Sequence, residues 1–234
     1  MKLILIIVLN LFLFSCDRLS INDRSIGQNN ISISLILVYP QNLQKGVITY
    51  LHSKNNFGTP PKFVDSVLLS VNNVKFDNIP SDSLESDRFC SDINLDINKC
   101  YNYYSSKLNI KPGKKYILMA EYHYLKITGE TTVPGLFKIY KQGRTIFWTK
   151  SQNAYLFRIR IVNMDTKMLF EKSTRNYNIN LDSTAFSRGN YLVRIEAIDK
   201  NFYDFVNENL DCSGMNDGFG VFGSITIVEK KFKL

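Results

Sequence analysis

Apolar and polar residues alternate in short segments along most of the chain, and no long segment repeats apolar residues at the spacing of a helix. Alternation at period two is typical of a strand with one face in a core and the other in solvent. Turn-forming residues separate the segments at intervals typical of β-sandwiches. We therefore predict an all-β fold. The clearest apolar sets are Ile31, Ile33, Leu35 and Leu37; Phe157, Ile159 and Ile161; and Tyr191, Val193, Ile195 and Ala197.

One local pattern occurs twice: an apolar residue, a glycine turn, and a tyrosine that opens an alternating strand. The first copy places Gly113 before Tyr116, and the second places Gly189 before Tyr191. This pattern is typical of the corner that enters strand F of an immunoglobulin-like sandwich, where the tyrosine hydroxyl bonds back to the backbone. Two unrelated hairpins are the alternative. The repeat favours two immunoglobulin-like β-sandwich domains in tandem.

Turn and breaker residues divide the chain further. The pair Asn72-Asn73 separates two apolar runs and predicts a hairpin. The segment Thr131-Thr-Val-Pro-Gly135 is the predicted exit from the first domain. We predict one domain over residues 31–135 and a second over residues 136–234, with a polar tether over residues 16–30.

The first sixteen residues indicate export. One lysine precedes an apolar run that is too short to span a bilayer, which needs about 20 apolar residues. The ending Leu13-Phe-Ser-Cys16 resembles the lipobox of bacterial lipoproteins. By this resemblance, residues 1–15 are a signal peptide, and Cys16 is lipidated on sulfur with acyl chains such as palmitate. An ordinary signal peptide with a chance cysteine is the alternative.

Three cysteines remain after Cys16 is assigned to the anchor. An exported chain meets an oxidising compartment, where disulfides form. Cys90 and Cys100 flank a short polar loop and are the favoured disulfide, which leaves Cys212 as an odd thiol. The alternative pairs Cys212 with one of them across domains. The spacing matches no zinc template, so we predict no metal site.

Residues 136–200 resemble a fibronectin type III domain. The resemblance implies that Trp148 is buried in the second sandwich. It is carried by three segments: Thr145-Ile-Phe-Trp-Thr149, Ala154-Tyr-Leu-Phe-Arg-Ile-Arg-Ile161 and Gly189-Asn-Tyr-Leu-Val-Arg-Ile-Glu-Ala-Ile-Asp199.

The whole chain resembles a family of uncharacterised Bacteroidota outer-membrane lipoproteins. These proteins have an immunoglobulin-like or prealbumin-like domain followed by a fibronectin-like one, and are often encoded beside TonB-dependent transporters. The resemblance implies an accessory or ligand-binding role in uptake at the outer membrane, on its periplasmic or cell-surface side. Besides the lipobox, it is carried by Lys111-Pro-Gly-Lys-Lys-Tyr116, Gly129-Glu-Thr-Thr-Val-Pro134 and Gly218-Phe-Gly-Val-Phe-Gly-Ser224.

Catalytic motifs are lacking in the sequence. His52 and His123 have no cysteine or nucleophile elbow near them in the chain. Gly218-x-Gly220-x-x-Gly223 has the spacing of a dinucleotide fingerprint, but no helical pattern follows it. The net charge of +8 comes from scattered lysines and arginines, without the basic stripe of a nucleic-acid site. We therefore predict a protein without catalysis, cofactor or nucleic-acid partner.

Two segments are candidate contact surfaces. One is the aromatic segment Tyr122-His123-Tyr124. The other is the polar loop 207–217, since loops carry much of the function of sandwiches. Its oxygen ligands would also suit calcium, although it lacks the EF-hand pattern. The candidate residues in this loop are Asn209, Asp211, Asn216 and Asp217. A structural or adhesive cell-surface module is the alternative function.

Overall fold

The computed structural model describes residues 31–51, 62–80, 101–182, 186–208, 212–216 and 218–234. Within them the chain forms β-strands and one short helix, so the predicted all-β sandwich fold is confirmed. The strands and the helix are β1 (Ile31–Tyr39), β2 (Gln44–Tyr50), β3 (Leu68–Val71), β4 (Val74–Lys75), β5 (Asp77–Asn78), β6 (Tyr103–Ser105), β7 (Lys115–Tyr122), β8 (Leu125–Thr132), β9 (Ile139–Gln142), β10 (Thr145–Trp148), β11 (Leu156–Asn163), β12 (Leu169–Thr174), β13 (Asn178–Asn180), β14 (Asn190–Ile198), α1 (Lys200–Asn207), β15 (Cys212–Ser213), β16 (Met215–Asn216) and β17 (Phe219–Lys233).

The first sandwich contains β1 to β8. One of its sheets has the strand order β1-β2-β6-β5, and the other has the order β8-β7-β3-β4. In immunoglobulin nomenclature these are the sheets A-B-E-D and G-F-C-C′. The predicted hairpin at Asn72-Asn73 joins β3 to β4, and both asparagines have positive φ angles, 47° and 64°, as a type I′ turn requires.

The second sandwich contains β9 to β14 and the end of β17. A three-stranded sheet in the order β13-β10-β9 faces a four-stranded one in the order β12-β11-β14-β17. These correspond to strands E-B-A and C′-C-F-G. Trp148 is buried in this second core, as the fibronectin resemblance implied.

Strand β17 belongs to both sandwiches. Its 15 residues pair first in parallel with β1, from Phe219 to Thr226, and then antiparallel with β14, up to Lys233. One nine-stranded sheet therefore runs through both sandwiches. Met215 and Phe222 lie in the first core, so the segment 136–234 does not fold into the second sandwich alone.

The alternating segments bury the residues that the sequence predicted. Ile31, Ile33, Leu35 and Leu37 of β1 are at most 2 % exposed. Their neighbours Ile36 and Val38 face the other side of the sheet, where α1 covers them together with Ile198 and Ile225. Both faces of the shared sheet are thus apolar where the two sandwiches meet.

Helix α1 was not predicted, because its eight residues are too few to display a helical period. Asp199 caps it, since the Asp199 Oδ1 accepts a hydrogen bond from the Phe202 N–H at 2.9 Å. Within the first turn Asn201 donates through Nδ2 to the carbonyl oxygens of Glu130 and Phe222. The helix therefore ties β17 to β8 of the first sandwich.

Both predicted tyrosine corners are confirmed. The Tyr116 hydroxyl accepts from the Lys111 N–H at 2.7 Å and donates to the Asn109 carbonyl at 3.1 Å. The Tyr191 hydroxyl donates to the Ser187 carbonyl at 2.9 Å. Each tyrosine ring is buried, so the corner fixes a turn from inside the core.

We expect Tyr116→Phe and Tyr191→Phe each to lower the free energy of unfolding by about 1 kcal/mol, because each removes the hydrogen bonds of the hydroxyl at its corner. Tyr191→Phe also takes an acceptor from the buried Asn163 side chain. Chemical denaturation of the full chain measures the loss. Tyr140→Phe is the matched control, because the Tyr140 ring is on the outer surface. Equal stability of the corner variants and the control would contradict this interpretation.

Candidate functional site

The predicted aromatic surface divides into a buried and an exposed part. Tyr122 ends β7 with its ring in the first core. His123 and Tyr124 form the two-residue turn to β8, with His123 at φ 51° and Tyr124 78 % exposed. Only the turn is therefore available to a partner, and Tyr122 is a core residue rather than a contact residue.

Tyr122 positions that turn through Tyr50. The two hydroxyl oxygens are 3.1 Å apart, and the rings pack edge to face. This hydrogen bond, with burial, raises the pKa of Tyr122 to about 12. The His123 ring packs against Tyr122 with 4.3 Å between ring centroids, so the exposed turn is held against a buried core residue.

These residues lie at one end of the first sandwich. Ile31 pairs with Tyr50, and Tyr50 meets Tyr122. The opposite end of β1, Tyr39, pairs with Thr226, where β17 continues into the second sandwich. We call the first of these the Ile31 end. Ile31, the first described residue, and the His123-Tyr124 turn therefore lie at the same end of the first sandwich.

The polar segment 207–217 is mostly regular structure where it is described. Asn207 ends α1, β15 pairs with β17, and β16 pairs with β8. Gly214, at φ 73°, connects the two strands, so the segment crosses from one sheet of the first sandwich to the other. Asn216 is exposed on β16; Asn209, Asp211 and Asp217 lie outside the described residues.

The cysteine prediction needs one correction. Cys212 is disulfide-bonded, so it is not an odd thiol. The other three cysteines, Cys16, Cys90 and Cys100, lie outside the described residues. The predicted lipidation of Cys16 and the predicted Cys90–Cys100 bond therefore stay predictions.

A buried polar cluster lies where the two sandwiches meet. Thr131 on β8 and Ser224 on β17 donate hydrogen bonds from their hydroxyls to the Asp199 Oδ2, the latter at 3.0 Å. Close by, the Thr226 hydroxyl donates to the Pro134 carbonyl. Burial raises the pKa of Asp199. Thr131 lies on β8 of the first sandwich, and Asp199 follows β14 of the second. These hydrogen bonds therefore link the two sandwiches.

A second charged cluster covers the outer face of the sheet β12-β11-β14-β17. Arg158 donates to the Glu196 Oε2 from Nε at 2.7 Å, and Arg194 donates to the Glu196 Oε1 at 2.8 Å. Glu171 pairs with Arg160, and Glu229 with Arg194. Three arginines and three glutamates on this face are therefore in contact with one another.

We expect Glu196→Gln to lower the free energy of unfolding by about 2 kcal/mol. The Glu196 side chain is 2 % exposed, so removing its charge leaves Arg158 and Arg194 without a buried counter-charge. Solvent limits the cost, because these two arginine side chains are roughly one-third exposed. Glu229→Gln is the matched control, with an expected cost below about 0.5 kcal/mol because that side chain is 46 % exposed. Equal losses in urea titrations would refute the prediction.

Among the described residues, no group of three or more histidine, cysteine, aspartate or glutamate side chains is placed to hold a metal ion. In the same part of the chain, no helix has the length and apolar character needed to cross a membrane. No protein-family model matches the sequence, and no curated protein matches it.

Proposed function

We propose that the chain is a non-catalytic, lipid-anchored outer-membrane protein that works as an accessory or ligand-binding partner of a TonB-dependent transporter. The lipobox at Cys16 and the resemblance to outer-membrane lipoproteins supply the class of protein. The observation that carries the proposal is the position of the His123-Tyr124 turn. It lies at the Ile31 end, where the segment from Cys16 enters the fold.

A lipid on Cys16 would keep this end near the bilayer. The 15-residue segment 16–30 spans at most about 50 Å when fully extended. The exposed Tyr124 and the neighbouring strand residue Leu68, which is 68 % exposed, would then face the membrane side. Leu68 pairs with Glu121, just before the turn. An exposed aromatic and an exposed aliphatic side chain suit contact with a membrane-embedded protein.

The shared sheet supports a binding role. Because β17 pairs with β1 and with β14, the second sandwich cannot swing freely about the segment near Pro134. The anchored chain would therefore hold its second sandwich at a fixed distance from the Ile31 end. A fixed distance suits an accessory that positions a ligand near a transporter.

The anchor is tested with Cys16→Ser in the native cell, and Ser20→Ala, which leaves the lipobox intact, is the control. We expect metabolic labelling with a palmitate analogue and membrane retention in the wild type and in Ser20→Ala, and neither in Cys16→Ser. Retention and labelling of Cys16→Ser would overturn the anchor.

The partner is tested by affinity purification of the tagged, full-length protein from detergent-solubilised membranes. We expect a TonB-dependent transporter to co-purify, and we expect Tyr124→Ser to reduce its recovery. Leu169→Ser is the matched control, since Leu169 is exposed on the second sandwich, at β12. Recovery of host or matrix proteins without a transporter would instead favour a structural or adhesive module.

A further inference from the structure

The outer face of the three-stranded sheet β13-β10-β9 differs in chemistry from the rest of the second sandwich. Its strands turn alternate residues outward, opposite to the buried Ile139, Ile146 and Ile179. We call this surface the Tyr140 face. Its outward residues are Tyr140 and Gln142 on β9, Thr145 and Phe147 on β10, and Asn178 and Asn180 on β13.

Two aromatic rings occupy the middle row of the Tyr140 face. Tyr140 pairs with Phe147 across the strands, and the rings are stacked with 5.5 Å between centroids and 10° between planes. Tyr140 is 47 % exposed. β9 is an edge strand of this sheet. The pair is therefore a preformed apolar platform.

Neutral hydrogen-bonding groups surround this platform. Asn178 flanks Phe147 on the other side, and Thr145 lies between Gln142 and Asn180 in the next row. Lys138 and Asp182 border the face at its two ends. An amide both donates and accepts hydrogen bonds, as does a hydroxyl, so these groups complement a ligand that is rich in hydroxyls.

The opposite outer face of the same sandwich has a different character. It carries the three arginines and three glutamates around Glu196, and their contacts satisfy one another. The Tyr140 face has no charged residue among its six outward positions. Lys138 and Asp182 lie only at the two ends of the face, so a ligand across its two middle rows meets neutral groups. The complementary ligand is neutral.

We propose that the Tyr140 face binds a neutral saccharide chain. The C–H face of a pyranose ring packs on the exposed part of the Tyr140–Phe147 ring pair, where burial of apolar surface supplies affinity. The hydroxyls of the sugar exchange hydrogen bonds with Gln142, Thr145 and the two asparagines. The outward residues lie in rows across three strands, which suits an extended chain that crosses the strands.

This ligand site is independent of the membrane anchor and of the transporter partner. It lies on the second sandwich, whereas the partner contact proposed above lies at the Ile31 end of the first. Failure of a transporter to co-purify would leave the saccharide site untested, and failure of saccharide binding would leave the transporter contact intact. The two proposals are therefore separable.

The test is surface plasmon resonance with the full-length protein immobilised in detergent. The probes are soluble starch, β-1,3-glucan, arabinoxylan and mannan, with dextran sulfate as the anionic reference. We expect at least one neutral polysaccharide to bind, and the double variant Tyr140→Ala with Phe147→Ala to weaken that binding roughly tenfold or more. Leu169→Ala, an exposed apolar residue on the other sheet, is the matched control with unchanged binding.

Melting temperatures show whether the double variant folds, and Asn178→Ala provides a second test that removes no core contact. We expect Asn178→Ala to weaken binding several-fold. Two results would overturn the proposal: binding only to dextran sulfate among these probes, or equal binding of a neutral polysaccharide by the wild type and by the folded variants.

Discussion

Gly220→Ala is expected to lower the free energy of unfolding by about 4 kcal/mol. Gly220 lies in β17 opposite Ile33 of β1, at φ 100°, which side chains with a Cβ rarely adopt. A Cβ at this position would clash with the backbone carbonyl of Ile33. The strain and the clash both act on the parallel pair that joins the two sandwiches, so β1 and β17 must separate locally.

Gly143→Ala is the matched control for this change. Gly143 also has a positive φ, 56°, but nothing lies within 4 Å of the added Cβ. We expect about 1 kcal/mol from the backbone strain alone. Urea titrations of the full chain measure both losses, and hydrogen exchange at β1 and β17 locates the damage. If Gly220→Ala costs no more than Gly143→Ala, the close approach at Ile33 is not part of the fold in solution.

The role of Gly220 could not be predicted from the sequence, because it depends on the pairing of two distant strands. No helical pattern follows Gly218-x-Gly220-x-x-Gly223 in the sequence, and in the structure Phe219 begins strand β17. The need for glycine at position 220 became clear only when the structure placed β1 beside β17. That pairing joins residues almost 190 positions apart in the chain, and no periodicity within either segment encodes it.

Local features could be predicted because each depends on residues that are close together in the chain. The alternation in β11 and β14 and the corners at Tyr116 and Tyr191 each depend on a few neighbouring residues. The predicted boundary near residue 135 depends on breaker residues, which mark where a connection begins. They do not reveal that a later strand returns to the first sandwich, as β17 does.

The candidate contact surfaces were only partly predictable. An aromatic run such as Tyr122-His123-Tyr124 does not show which rings face a core, and the pairing of Tyr122 with Tyr50 decides it. The Tyr140 face was missed because Phe147 is part of the apolar run Ile146-Phe147-Trp148, in which an outward ring resembles a core ring. The pairing of β10 with β9 is what places it beside Tyr140.

Asp199→Ala is expected to lower the free energy of unfolding by about 3 kcal/mol. The change removes the cap of α1 and takes the acceptor away from the buried Thr131 and Ser224 hydroxyls. A lost cap costs about 1 kcal/mol, and each buried hydroxyl that loses its acceptor adds about 1 kcal/mol, since the two hydroxyls still contact one another at 3.0 Å. Asp199→Asn is the matched control, because asparagine also caps helices and fills the same space.

The pH dependence separates the charge of Asp199 from its hydrogen bonds. Burial raises its pKa above the ordinary value of 3.8, so the fold favours the protonated carboxyl. The stability that this preference contributes is complete below pH 3.8 and is lost as the pH rises through the folded pKa. The wild type should therefore lose stability relative to Asp199→Asn as the pH rises from 3.5 to 8 in urea titrations. A constant difference would mean that the hydrogen bonds of Thr131, Ser224 and Phe202 cancel the effect of burial, and a difference that grows in favour of the wild type would mean that they outweigh it.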